Sequence, residues 1–179
     1  MKKTTSFTLL AILLAVSLLL GGAAEPEKAK VSFSKTTMDI GMVVSDTEKA
    51  VAFYRDAVGF TEIPGFEVSE EVAGGSGLAD DHPFSVKIMV LGKDSTATNL
   101  KLMSFPTAPG KKVDNTFIHT TLGVSYLTVH VADMNAAVDR AKEANAVFVK
   151  PSYDLGNNVY LTLLRDPDGN IIELVGPKK

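Results

Sequence analysis

Cysteine and tryptophan are absent from the 179 residues. Without a thiol there is no disulfide, no thiolate metal ligand, no cysteine nucleophile and no cysteine to carry a lipid. Basic residues do not outnumber acidic ones: 18 Lys and Arg stand against 21 Asp and Glu, for a formal charge of −3. That balance argues against a nucleic-acid binder, which needs a concentrated basic face to displace counterions from phosphates. The serines lack a G-x-S-x-G elbow. Gly74-Gly75-Ser76-Gly77-Leu78 lacks the Lys-Ser/Thr that closes a phosphate-binding loop, so it reads as a flexible connection. What is present is ordinary globular composition, with 45% hydrophobic and 22% charged residues. Any chemistry must come from carboxylates, hydroxyls, amines and three histidines.

One long apolar run stands at the amino terminus. Met1-Lys2-Lys3 precedes an uncharged stretch from Thr4 to Ala24 whose centre is Leu9–Leu20, followed by small residues and the charged Glu25-Pro26-Glu27-Lys28. A short positive segment, an apolar centre and a small-residue end make a secretory signal peptide, residues 1–24, with cleavage after Ala24. The mature chain is then exported, to a periplasm or outside the cell, and is clear of the membrane. An uncleaved membrane anchor is the alternative, for which the apolar centre is short. Residues 25–35 read as an exposed tail.

The rest of the chain repeats itself. Met38–Asp46 and Ser125–Asp133 each read as an apolar strand ending at an aspartate that caps a helix. The first helix carries Ala50, Val51, Tyr54, Ala57 and Val58 on one stripe and stops at Gly59; the second carries Met134, Ala137, Val138 and Ala141 and stops near Asn145. Three strand-like segments follow each helix, near 60–72, 84–91 and 99–105, then near 146–150, 158–165 and 170–176. Asp166-Pro167-Asp168-Gly169-Asn170 is a hairpin turn. The expected fold is α+β: two βαβββ modules, 36–106 and 123–177, joined by a linker at 107–122. Paired, their sheets make a partly closed mixed β-barrel around a cavity.

Ile40–Asp46 with Ala50–Phe60 resembles the opening module of the vicinal oxygen chelate superfamily, which includes glyoxalase I, bleomycin and fosfomycin resistance proteins and extradiol dioxygenases. Asp166–Leu174 resembles its closing hairpin. The resemblance covers residues 36–177 and implies the fold rather than one reaction, since this scaffold hosts enzymes and pure binders. It also implies metal ligands at four positions, here Asp39, Lys101, Tyr126 and Glu173. His, Gln or Glu is usual at the first and third, Glu or similar at the second, and only Glu173 keeps the pattern. Lys101 is the strongest departure, because an ammonium has donors and no lone pair for a cation. No metal is expected on this reading, and the four positions become a vacated site: an ionic cluster in which Lys101 faces the carboxylates of Asp39 and Glu173 with the Tyr126 hydroxyl adjacent, either pinning the two modules together or serving a ligand pocket. A divalent Zn, Ni, Mn or Fe is the alternative.

Ligand contact is therefore expected from Asp39, Lys101, Tyr126, Thr128, His130 and Glu173, the three on 126–130 sharing a strand face. If the chain is an enzyme of glyoxalase or dioxygenase type, acting on a small oxygen-rich or carbonyl substrate, Glu173 with His130 or Tyr126 handles the proton. If it is a binder like the bleomycin resistance proteins, the cavity captures a small molecule and nothing reacts. His82, in an acidic loop, and His119, in the linker, read as solvated. Apolar lining or core is expected from Phe66, Phe84, Met89, Met103, Phe105 and Phe148. The resemblance is compatible with a homodimer.

Overall fold

Alternation of apolar and polar residues builds two four-stranded sheets. The computed structural model describes residues 32–93 and 96–179; the segment read as a signal peptide, and residues 25–31 of the tail, lie outside the described residues. In the first module β1 (Ile40–Val43) leads into α1 (Thr47–Ala52), which continues as π-helical turns over Phe53–Val58. β2 (Thr61–Val68), α2 (Glu70–Gly75), β3 (Phe84–Val90) and β4 (Asn99–Ser104) complete it. The second module is β5 (Tyr126–His130), α3 (Met134–Glu143), β6 (Val147–Gly156), β7 (Val159–Arg165) and β8 (Ile171–Gly176). Strand order is β1-β4-β3-β2 in one sheet and β5-β8-β7-β6 in the other, with β1–β4 and β5–β8 parallel and the rest antiparallel. This is the mixed α+β fold of two βαβββ modules that the repeat implies.

The caps act as the sequence suggests. Asp46 accepts from the Lys49 N–H at 3.0 Å and Asp133 from the Asn135 N–H at 2.9 Å, satisfying donors that a helix start leaves orphaned. Gly59, at φ 100°, and Asn145, at φ 54°, take the left-handed positions after the helices. Three details differ from the sequence reading. Residues 70–75 leave the strand as a short helix capped by Ser69, β6 runs on to Gly156, and the first helix widens at its end, where the Tyr54 carbonyl accepts from both Gly59 and Phe60.

β2 is an edge strand, which is why it tolerates Pro64. Its register slips between Ile63 and Phe66, and there the backbone of Gly65 passes so close to Val86 that a Cβ would collide with the Val86 carbonyl oxygen. Gly65→Ala is therefore expected to cost about 2–3 kcal/mol, because backbone rather than a flexible side chain must give way. Denaturant unfolding measures it.

Within the unit spanning 35–179, one hydrophobic core serves both modules. Leu100, Leu102 and Met89 of the first sheet and Leu164, Ile172, Leu174 and Val129 of the second join Val51, Tyr54 and Val58 of the first helix and Met134 and Ala141 of α3. The helices pack on each other and on their sheets, so the inner face of each sheet is spent on this shared core. A smaller core lies on the outer face of the first sheet, where α2 brings Ala73 onto Phe84, Val86, Met103 and Phe105.

The modules are also hooked together by the turn at 166–170. Asp166 is buried, and its carboxylate accepts from the Tyr54 hydroxyl at 3.0 Å, the Asp168 N–H at 3.0 Å, and the Asn170 N–H and side-chain amide, both at 2.8 Å. The Ser45 N–H donates to Asp168 at 3.0 Å. The two sheets share no strand pairing among the described residues and do not close into a barrel. The partly closed barrel around a cavity expected from the sequence is not made within one chain, because the modules meet through their helices and this turn.

Candidate functional site

Strand periodicity decides where the candidate residues point. In β4, Leu100 and Leu102 enter the core, so Lys101 between them faces outward. The parallel register sets Gly41 beside Lys101, and Asp39 immediately precedes β1. Gly41 has no side chain to intervene, and the Lys101 ammonium reaches across to Asp39 at 3.0 Å. The Asn99 amide donates to the other Asp39 oxygen, also at 3.0 Å. The Lys101 hydrogen bond, helped by Asn99, holds the Asp39 carboxyl below its ordinary value of 3.8. The stability this pair contributes is present above that value and is lost as pH falls through the lower folded one. Lys101→Met is expected to return the Asp39 carboxyl toward 3.8, which a carbon-detected NMR titration reads directly.

The second module repeats the arrangement with different chemistry. Ile172 and Leu174 enter the core, and Glu173 faces outward beside its register partner Thr128, whose hydroxyl donates to it at 2.5 Å. Tyr126 and His130 flank Thr128 on the same strand face; both are exposed, and the His130 imidazole makes no hydrogen bond to the described residues. Leu161, Leu163 and Val175 extend this face, joined by Tyr153 from the edge strand. The lone glycine at 41 in one module and the threonine at 128 in the other explain why one acid pairs with lysine and the other with a hydroxyl.

The structure thus makes two half-sites rather than one cluster. Lys101 pairs with Asp39 and not with Glu173, and since both outer faces turn away from the shared core, the two halves do not meet within one chain. As metal ligands the set fits poorly: an ammonium occupies the Asp39 carboxylate. Among the described residues no three His, Asp or Glu side chains gather around a common point.

The remaining candidates scatter. Met89 lies in the main core and Phe148 against it, while Phe84, Met103 and Phe105 pack under α2 and Phe66 stays half-exposed on the outer face. His82 sits in the loop after α2, and His119 stacks on Phe117 at 5.7 Å in the linker. A cavity of about 590 Å³ opens at the module junction, lined by Val43, Ser45, Phe105, Lys111, Lys112, Asp168 and their neighbours, and by none of the six candidate residues. Sequence reasoning missed Tyr54 and Asp166 as partners. The signal available was the aspartate opening Asp166-Pro167-Asp168-Gly169, a residue type that binds its own turn's N–H groups.

Comparison with known proteins places the geometry. The model of the Glyoxalase/Bleomycin resistance protein/Dioxygenase superfamily matches residues 37–174. No curated protein matches the chain by sequence. A glyoxalase family protein from Bacillus cereus is 22% identical, superposes with a TM-score of 0.69, and is matched over 84% of this chain and 99% of its own. The antibiotic-binding protein TnmS3 of a Streptomyces species is also 22% identical, over 84% of this chain and 100% of its own, with a TM-score of 0.52. The trypanothione-dependent glyoxalase I of Leishmania major is 17% identical over 77% and 84%, with a TM-score of 0.55.

Proposed function

This chain belongs to the Glyoxalase/Bleomycin resistance protein/Dioxygenase superfamily, and on that premise we propose that it is an exported small-molecule-binding protein whose metal site is degenerate. The observation that carries the reading is the Lys101–Asp39 pair at 3.0 Å. A fixed ammonium neutralises the carboxylate that a cation would otherwise attract, and it leaves hydrogen-bond donors facing an apolar surface made by Ile88 and Met103. Thr128 and Glu173 offer a matching acceptor and hydroxyl on the second module. The antibiotic-binding protein among the structural neighbours is compatible with small-molecule binding.

Among the described residues each half-site is open, and β1 and β5 stand at sheet edges with no further strand paired to them. A second copy of the chain, presenting its second-module face to the first-module face of its mate, would enclose Lys101, Asp39, Tyr126, Thr128, His130 and Glu173 in one pocket. The homodimer is thus part of the proposal, and sedimentation equilibrium at micromolar protein tests it, the expected mass being twice that of the chain. Export is part of it too: expression of the full gene in a bacterial host should yield a product beginning at Glu25.

Calorimetric titration with metal-free bleomycin as probe, before and after EDTA, tests the binding claim. The expected result is a Kd of about 10 µM or tighter that EDTA leaves unchanged and that Lys101→Met or Glu173→Gln weakens at least about tenfold. Binding or turnover that appears only on adding Zn, Ni, Mn or Fe would overturn it in favour of a metal-dependent lyase or dioxygenase.

A further inference from the structure

On the far side of the second sheet, away from either half-site, a cleft of about 590 Å³ opens between α3 and the edge strand β6. Its α3 wall is Asn135, Val138, Asp139 and Lys142, spaced so that they share one helix face. Its other wall is β6, whose register against β7 slips between Phe148 and Lys150 and again between Lys150 and Tyr153. A bulged edge strand cannot lie flat on the helix, and the gap this leaves is the cleft.

The chemistry of the lining is divided. Val138, Phe148 and Val149 make an apolar surface, and the volume is that of a pocket for a small organic molecule. Around it stand Lys142, Lys150 and Lys178. Their only acidic neighbour in the lining is Asp139, which Lys142 engages at 3.2 Å. Lys178 is positioned by Tyr160, its ammonium 4.0 Å from the ring centroid. Asn135 is already engaged by the Lys179 main-chain oxygen at 2.7 Å, Ser152 by the Thr162 hydroxyl at 2.8 Å and Lys142 by Asp139, so Lys150 and Lys178 are the groups of the lining left to meet a ligand. A local excess of cations on a chain of net charge −3 runs against the overall balance and selects an anion.

We propose that the α3–β6 cleft binds an amphipathic carboxylate of fatty-acid type, its chain laid on Val138, Phe148 and Val149 and its head held between Lys150 and Lys178. Apolar contact supplies the affinity and the lysines the selectivity for charge. The site is independent of the function proposed above.

The test is titration of the purified protein with decanoate and, in parallel, with decanol, followed by calorimetry and by amide NMR shifts. Decanoate is expected to bind with a Kd of about 100 µM or tighter, decanol at least about tenfold more weakly, and Lys150→Ala/Lys178→Ala to lose about tenfold. Lys150 is exposed while Lys178 is half-buried over Tyr160, so Lys150→Ala alone should keep the wild-type melting temperature and still weaken decanoate, and Lys150→Arg/Lys178→Arg should retain binding. The amides that shift should be those of 135–142 and 148–152. Equal affinity for the alcohol, unchanged affinity in the alanine variant, shifts at 39, 101, 128 and 173 instead, or no binding at millimolar decanoate would each overturn the proposal.

Discussion

Asp166→Ala is expected to destabilise the protein by about 3–5 kcal/mol, the largest loss of any single substitution considered, because it strips four donors of one buried acceptor. Two of those donors are backbone N–H groups that shape the 166–170 turn, one is an amide of the same turn, and the last is a hydroxyl from the other module. The variant thus loses the turn and the hook together. Tyr54→Phe removes only the last and should cost about 1–2 kcal/mol, since Asp166 keeps its other partners and the ring keeps its edge contacts with Phe53 and Phe60. Urea unfolding of both variants separates the two contributions. Near-equal losses would mean that the turn does not depend on its own aspartate.

The same pair sets a pH dependence. Burial, and then the Asp166 charge, raise the Tyr54 phenol well above its ordinary value of 10.0. The sign follows from which state ionises first. Below about pH 10 the phenol is neutral in both states and its share of stability is complete; above it the unfolded chain loses the proton while the folded one keeps it, and stability drains away as pH climbs toward the folded value. Melting temperatures measured between about pH 9 and 11 should fall for the wild type and fall less steeply for Tyr54→Phe.

Lys101→Glu is the second large effect, and it changes the sign of an interaction. The substitution replaces an ion pair with two facing carboxylates, so Asp39 loses the partner that lowers its pKa and acquires one that raises it. At neutral pH the variant should melt below the wild type. Two adjacent carboxylates are a divalent-cation site in outline, and Mn²⁺ or Zn²⁺ should now restore what the repulsion removed. At a metal concentration about 100 times the Kd, the gain is about 2.7 kcal/mol, which for a chain of this size is a rise of roughly 5–10 °C in Tm. The wild type should not respond. A variant that melts unchanged with and without metal would show that position 101 does not face the acid, and the reading of the site would fail with it.

The sequence made the modules legible for a physical reason. Capping aspartates, apolar stripes and the Pro-Asp-Gly turn are local signals, each written within a few residues, and Asp46, Asp133, Gly59 and Asn145 all do what their positions imply. Position 101 was singled out by the resemblance, and strand alternation does put it on the face opposite Leu100 and Leu102, beside Asp39; the convergence with Glu173 that the resemblance implied is not made. What was not legible is everything set by how the modules meet. Whether two sheets close on a cavity or turn their inner faces onto a common core depends on contacts between residues more than a hundred positions apart, such as Tyr54 with Asp166. No local pattern encodes that choice. Ser69–Gly75 was missed for a different reason: six residues in a helix carry too little periodicity to outweigh an adjoining strand, although Ser69 followed by two glutamates is a cap in miniature.

The proposed function turns on the Lys101 ammonium, which engages Asp39 at two of the four positions where the resemblance implies metal ligands. Its most direct test is the metal content of the wild-type protein, purified without chelator from cells grown with Zn, Ni, Mn and Fe, by inductively coupled plasma mass spectrometry. The account predicts far less than one metal ion per chain and a melting curve that EDTA does not move. One bound transition metal per chain, lost to EDTA with a fall in Tm, would contradict it.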